Sequence, residues 1–199
     1  MNVSLHSMGA GRRALTLAAW ALLAASPFLL LAAVSLVIGH NAFGSYPVWT
    51  DELDYWRSLY SWLHVGGAAG YSGVNENAAL MGTLSVHGVG PILLYGWFGT
   101  LFGWSFSSIV LCNALWIAAG ALTFCLLNRP RAGTALGMGL ALMVYAPAVL
   151  YCATSMTELA NYGLLLFYLA FLARLWRVRR EARAAAGGTP PLTKGLPSL

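Results

Sequence analysis

The sequence predicts an all-α membrane protein with four transmembrane helices and interfacial helices in its first outer loop. Three observations predict it. Of 199 residues, 59% are hydrophobic and only 9% are charged, whereas a soluble domain carries about a quarter of its residues charged. Lipid must therefore cover much of the surface. Four apolar runs, at about 14–38, 106–127, 132–150 and 156–175, are long enough to cross hydrocarbon, which takes about 20 residues of helix. Finally, basic and acidic residues separate to opposite ends of those runs.

The first run follows Arg12 and Arg13. A signal peptide has an apolar region of about 7–15 residues and a small-residue cleavage site. This run is longer, and Ile38-Gly39-His40-Asn41 is a poor place to cleave. The twin arginines hint at a Tat signal, but the expectation is an uncleaved first-helix anchor.

The outer loop, 39–105, comes next. Its stretch 51–65 spaces Leu53, Trp56, Leu59, Tyr60 and Leu63 helically among polar residues, which suits a helix lying in the membrane interface. Glycines at 66–73 then break it. The segment 90–102 is apolar but short, bracketed by Gly90-Pro91 and Gly103. It is expected to be interfacial or re-entrant.

Four spans and a cytoplasmic amino terminus put Arg12, Arg13, Arg129, Arg131, Arg174, Arg177, Arg179, Arg180, Arg183 and Lys194 inside, leaving only Arg57 outside. Asp51, Glu52, Asp54, Glu76 and Glu158 fall outside, and Glu181 inside. A fifth span at 90–102 would break this pattern. The expected location is the plasma (inner) membrane, with both termini cytoplasmic. Residues 1–185 form a single membrane domain, ending in a basic amphipathic helix on the inner leaflet. Residues 186–199, rich in Gly and Pro, read as a disordered cytoplasmic tail.

The net charge of +5 points to lipid headgroups rather than nucleic acid, because the basic residues flank apolar helices. Cys112, Cys125 and Cys152 read as packing residues; the first two would lie roughly 20 Å apart on one helix, too far to bridge. Gly133 and Gly137 make a small-xxx-small pair on the third span, extended by Gly139 and Ala141, which signals close helix packing.

Chemistry concentrates at Asp51, Glu52 and Asp54, three of the six carboxylates within four residues. Singly, each is explained as a solvated group, and Thr50 or Asp51 as a helix N-cap. As a set facing lipid phosphates, they suggest a general base or a divalent-cation site. Glu158 opens the last span, with Asn161 and Tyr162 on the same face. It is either functional or a helix-end carboxylate in a favourable first turn. Arg57 either holds a phosphate or pairs with Asp54 or Glu52. His87, in a glycine turn, binds metal or substrate or is a hydrogen-bonded loop residue. His40 and His64 lack partners at metal-ligand spacing. Tyr95, Trp97, Phe98 and Phe102 form an interfacial belt or line a lipid-tail groove. No GxxxxGK followed by Ser or Thr, no HExxH and no GxSxG occurs. Charge is absent from mid-span, which disfavours ion-coupled transport.

The order of these parts resembles the amino-terminal portion of the GT-C class of integral membrane glycosyltransferases, which includes protein O-mannosyltransferases and aminoarabinose transferases. The matching residues are Asp51-Glu52 with Tyr55, His87-Gly88-Val89-Gly90-Pro91 followed by Tyr95, Leu101-Phe102-Gly103-Trp104-Ser105, and Thr157-Glu158-Leu159. The resemblance implies a polyprenyl-phosphate-linked sugar as donor. Asp51 would be the base, with Glu52 as its neighbour or substitute, and Tyr55, Arg57, His87 and Glu158 would contact substrate or phosphate. A divalent metal is an optional cofactor on this view. Members of the class have more spans, so the resemblance also implies a fragment, a truncated copy or a subunit working with a second membrane protein. The alternative is a non-enzymatic membrane assembly protein whose outer loop docks a partner. A small transporter comes third.

Overall fold

The computed structural model describes residues 9–44, 46–66 and 89–185, and these form helices without strands. His87 and Glu76, most of the glycine segment at 66–73 and the tail at 186–199 lie outside the described residues.

The first helix, α1, spans Ala10–Ile38, about 43 Å at 1.5 Å per residue. Pro27 sits inside it and cannot donate to the Leu23 carbonyl four residues back. Ser26 Oγ donates to that carbonyl instead, at 2.7 Å, so the helix continues. Gly39 ends it in the left-handed conformation, φ 68°, which glycine adopts without a Cβ clash. A 3₁₀ turn at Ala42–Gly44 follows. Then come α2, Thr50–Ser61, with a π turn over Trp62–Gly66, and α3, Gly90–Phe102, with Pro91 in its first turn.

The long helix α4 runs Ser108–Asn128. After the turn at 129–131 come α5, Ala132–Val144, and α6, Ala146–Tyr151. The last helix, α7, spans Glu158–Ala185, so the apolar run and the basic stretch beyond it are one helix.

Among the described residues, three helices are long and apolar enough to cross a membrane: α1, α4 and α7. The expected run at 132–150 is not one continuous helix of that length. That run breaks at Tyr145, which is extended at φ −68° and ψ 110°. The cause is Pro147, which lacks an N–H and whose ring would strike the carbonyl of Met143 in a continuous helix. The remaining α5 is only about 20 Å long, against about 30 Å of hydrocarbon.

Packing centres on α4. Along its contact with α7, a Cβ on Gly120 would lie 2.6 Å from the Gly163 carbonyl oxygen, and a Cβ on Gly163 would lie 2.6 Å from the Trp116 carbonyl carbon. Only hydrogen fits between these backbones. The small-residue expectation for α5 is met at Gly139 and not at Gly133 or Gly137. A Cβ on Gly133 or Gly137 would meet nothing within 4 Å, while one on Gly139 would lie 3.6 Å from the Leu23 Cα, and Ala135 is fully buried. The contact face of α5 is therefore Ala135 and Gly139, of which Gly139 belongs to the predicted stripe.

Two hydrogen-bond sets define the ends of the bundle. At one end Trp20 Nε1 donates to the Pro130 carbonyl at 3.0 Å. There the Arg177 guanidinium donates to the Leu127 and Asn128 carbonyls at 3.2 and 3.0 Å and to Asn128 Oδ1 at 2.7 Å. At the other end Asn113 Nδ2 donates to the Met156 carbonyl at 2.7 Å, and the buried Tyr95 hydroxyl donates to Asn113 Oδ1 at 2.8 Å. The chain must therefore travel from one end to the other between residues 131 and 156. It does so through the broken pair α5 and α6.

Candidate functional site

The site is built at the end that holds α2, α3, α6 and the start of α7. Its keystone is Glu52, which is only 3% exposed. Glu52 Oε2 accepts the backbone N–H groups of Val48 at 2.8 Å and Trp49 at 3.0 Å. Oε1 accepts the N–H of Ser155, 103 residues away. Trp49 holds the N-cap position of α2, and its side chain makes no capping bond that an indole could offer. Neither Thr50 nor Asp51 is the cap, contrary to expectation. The reaching-back carboxylate of Glu52, at the third helical position, satisfies the helix start instead. It also ties α2 to the turn that launches α7.

With Glu52 locked in this way, the rest of the first turn is oriented. Asp51 is exposed and Asp54 is half-buried. Tyr55 is buried and hydrogen-bonded to Thr157, and the charges of Asp51, Glu158 and Asp54 all act on its phenol. Burial raises the Tyr55 pKa above its ordinary value, the three carboxylates add to the rise, and the Thr157 hydrogen bond partly offsets it. The Tyr55–Thr157 hydrogen bond thus joins α2, which carries Asp51 and Asp54, to the segment just before Glu158.

Glu158 opens α7 and is half-buried. Its Oε2 atom is buried with no hydrogen-bond partner among the described residues, as is Ser155 Oγ three residues earlier. The Glu158 charge acts on Tyr55 and Tyr95, whose phenol burial pushes well above the ordinary range, and on Tyr162. A buried acceptor without a donor is uncommon in a folded protein.

Arg57 is exposed on α2. Of its two expected partners, Asp54 is half-buried and Glu52 already accepts three backbone amides. No group of three His, Cys, Asp or Glu side chains among the described residues is arranged to hold a metal ion.

Along the outer side of α2 runs a feature that sequence reading missed. Tyr46 packs on Phe106 with ring centroids 4.8 Å apart, Phe106 stacks on Trp56 at 4.7 Å, Trp56 stacks on Tyr60 at 5.2 Å, and Tyr60 meets His64 at 4.4 Å. Trp56 Nε1 also donates to the Ser105 carbonyl at 3.0 Å. The spacing of 56, 60 and 64 at i, i+4, i+8 was visible in the sequence. The insertion of Phe106 and Tyr46 was not. Thr157 and Ser155 were missed as well, since neither has a motif of its own.

The fold and site define an all-helical protein with apolar helices of membrane-crossing length and a carboxylate–tyrosine cluster at one end. Compared with known proteins, the chain matches no family model, no curated protein and no solved structure.

Proposed function

We propose that the chain is a GT-C-like glycosyltransferase, or part of one, that moves a sugar from a polyprenyl-phosphate donor to an acceptor on the extracytoplasmic side. The observation that carries this reading is the hydrogen bond from the Ser155 amide to Glu52, which ties the turn of α2 that carries Asp51 to the start of α7, where Glu158 Oε2 is buried without a partner among the described residues, at the end of the bundle away from the Arg177 cluster. Asp51 is the exposed carboxylate of the set and serves as the base. It takes the acceptor hydroxyl's proton as that oxygen attacks the anomeric carbon and polyprenyl phosphate departs. Glu52 is a positioning residue, since its oxygens hold the backbone that carries Asp51. Glu158 and Tyr55 line the approach, and Arg57 offsets charge on the leaving phosphate. A lipid-borne donor presents its phosphate at headgroup depth and needs no nucleotide pocket. On this reading both termini are cytoplasmic.

Asp51→Asn tests it. Loss of a general base lowers turnover by about 10²–10⁴-fold. Transfer from a radiolabelled polyprenyl-phosphate sugar should fall by that order in membranes where the variant accumulates normally. Unchanged transfer, or no transfer by the wild-type chain alone or with its membrane neighbours, removes the enzymatic reading.

The second reading is a non-enzymatic assembly protein, favoured by the aromatic ladder along α2, of which Tyr46 is 68% and Tyr60 45% exposed. It expects partner capture to survive Asp51→Asn and to fail when Tyr46, Trp56 and Tyr60 are changed to Ala.

A further inference from the structure

The carboxyl end of α2 carries a pocket that the proposed reaction does not use. Its volume is about 390 Å³, and it lies between two walls. The π turn supplies one, with Trp62, Leu63 and His64. The end of α3 and the bend after it supply the other, with Gly99, Thr100, Gly103 and Trp104. Turns of π spacing are rare and often mark functional sites. Glycine builds the second wall. A Cβ on Gly96 would lie 2.8 Å from the Trp62 ring, and one on Gly99 would lie 2.5 Å from Leu63 Cδ1 and 3.0 Å from Trp104 Cε3. Any side chain there would push the π turn off α3. Gly103 then leaves α3 at φ 81°, a conformation that glycine adopts without strain, and the chain brings Trp104 back onto Gly99. One indole from each wall thus rests on bare α3 backbone.

The polar groups of the pocket are mostly acceptors. Thr100 Oγ1 donates its proton to the Gly96 carbonyl at 2.9 Å, so toward a ligand it only accepts. The Gly103 N–H is spent on the Gly99 carbonyl at 3.0 Å, and the later carbonyls of α3 have no intrahelical donor. The Trp104 indole N–H is buried with no partner among the described residues, whereas its neighbour Trp56 donates to the Ser105 carbonyl. His64, exposed and packed on Tyr60, is the one ionisable side chain among the described lining residues. A ligand suited to these walls brings several hydrogen-bond donors, offers an apolar face to the indoles and carries no charge in need of a counter-ion.

We propose that the pocket binds a neutral hexose ring, with its C–H face against Trp62 and Trp104 and its hydroxyls donating to Thr100 Oγ1 and the terminal α3 carbonyls. A small turn of the Trp104 ring gives its N–H a hydroxyl oxygen to donate to. An ammonium group finds no carboxylate here, and an alkyl chain leaves the acceptors unpaired. Leu63 lies about 18 Å along the helix from Asp51 at 1.5 Å per residue, so the pocket is a holding subsite and not the place of reaction. Sugar binding is measured without transfer, so its failure and the failure of the proposed reaction are distinguishable.

Saturation-transfer NMR on the full chain, solubilised in a sugar-free detergent, tests the proposal. The probes are methyl glucoside, methyl mannoside and methyl galactoside, with tetramethylammonium and hexanol as cationic and apolar competitors. At least one hexoside should receive saturation, and neither competitor should displace it. Thr100→Val removes an acceptor at an exposed position and should weaken binding about fivefold, the worth of one neutral hydrogen bond. Thr100→Phe fills the pocket and should abolish binding. Leu93→Ala, at a 73% exposed position of α3 outside the pocket, should leave it unchanged. No saturation of any hexoside, retained binding in Thr100→Phe, or equal loss in Leu93→Ala would each overturn the proposal. Displacement by tetramethylammonium or by hexanol at matched concentration would overturn it in favour of a cation or of a lipid chain as the occupant.

Discussion

Glu52 and Asp51 are neighbours of the same chemical type, yet their surroundings assign them different work. Glu52 spends its oxygens on three backbone N–H groups, those of Val48, Trp49 and Ser155, while Asp51 faces outward. Each buried donor left unpaired costs about 1–3 kcal/mol. The Ser155 amide is the buried one of the three, so Glu52→Ala should lower stability by about 1–3 kcal/mol, read as a drop in the thermal midpoint of the detergent-solubilised protein. Asp51→Asn should shift that midpoint little. If both variants unfold alike, or neither does, the division of labour between them is wrong. The sequence showed where the acids cluster but not which one is consumed. Trp49 is a poor N-cap by type, so reasoning from caps moved the helix start to Thr50 or Asp51 and hid the third-position role of Glu52. The amide of Ser155 has no sequence signature at all.

At the level of helices, small residues decide how closely α4 and α7 approach. Gly120 and Gly163 face one another with no room for a methyl group. Replacing Gly163 by Leu forces the helices apart, and overpacking of this kind typically costs about 1–3 kcal/mol or more. Gly133→Ala and Gly137→Ala should instead be neutral, or stabilising by up to about 1 kcal/mol, because Ala is the better helix former and both positions face open space. Thermal unfolding of the four single variants, including Gly120→Leu, separates the α4–α7 contact from the face that the Gly133–Gly137 spacing suggested. Spacing alone shows that glycines share a face; it does not show what that face touches. The break at Tyr145 was more legible, since Pro147 stands in the sequence. Its weight was underestimated because the flanking run is apolar throughout.

Across the molecule, the basic end is tied together by Trp20 with Pro130 and Arg177 with Asn128, and the acidic end by Glu52 with Ser155 and Asn113 with Met156. This arrangement expects Asp54 and Arg131 to be reached from opposite sides of a membrane. Cysteines substituted singly at those positions can be tested in intact cells with a membrane-impermeant thiol reagent. Background labelling is low because Cys112, Cys125 and Cys152 are all buried. One position should label without permeabilisation and the other only after it. Labelling of both under the same condition would mean that the broken pair α5 and α6 does not carry the chain across.

The helical class, the apolar runs and the two-ended distribution of charge were set by the sequence, because each depends on what a short stretch contains and how lipid and water divide it. Only the tertiary structure decided which carboxylate is spent on backbone amides, which glycines touch, and that Asp51, Tyr55 and Glu158 share one neighbourhood. Those outcomes depend on how each helix is rotated about its axis and on contacts between residues about a hundred positions apart. Composition and periodicity constrain such pairings too weakly to choose among them.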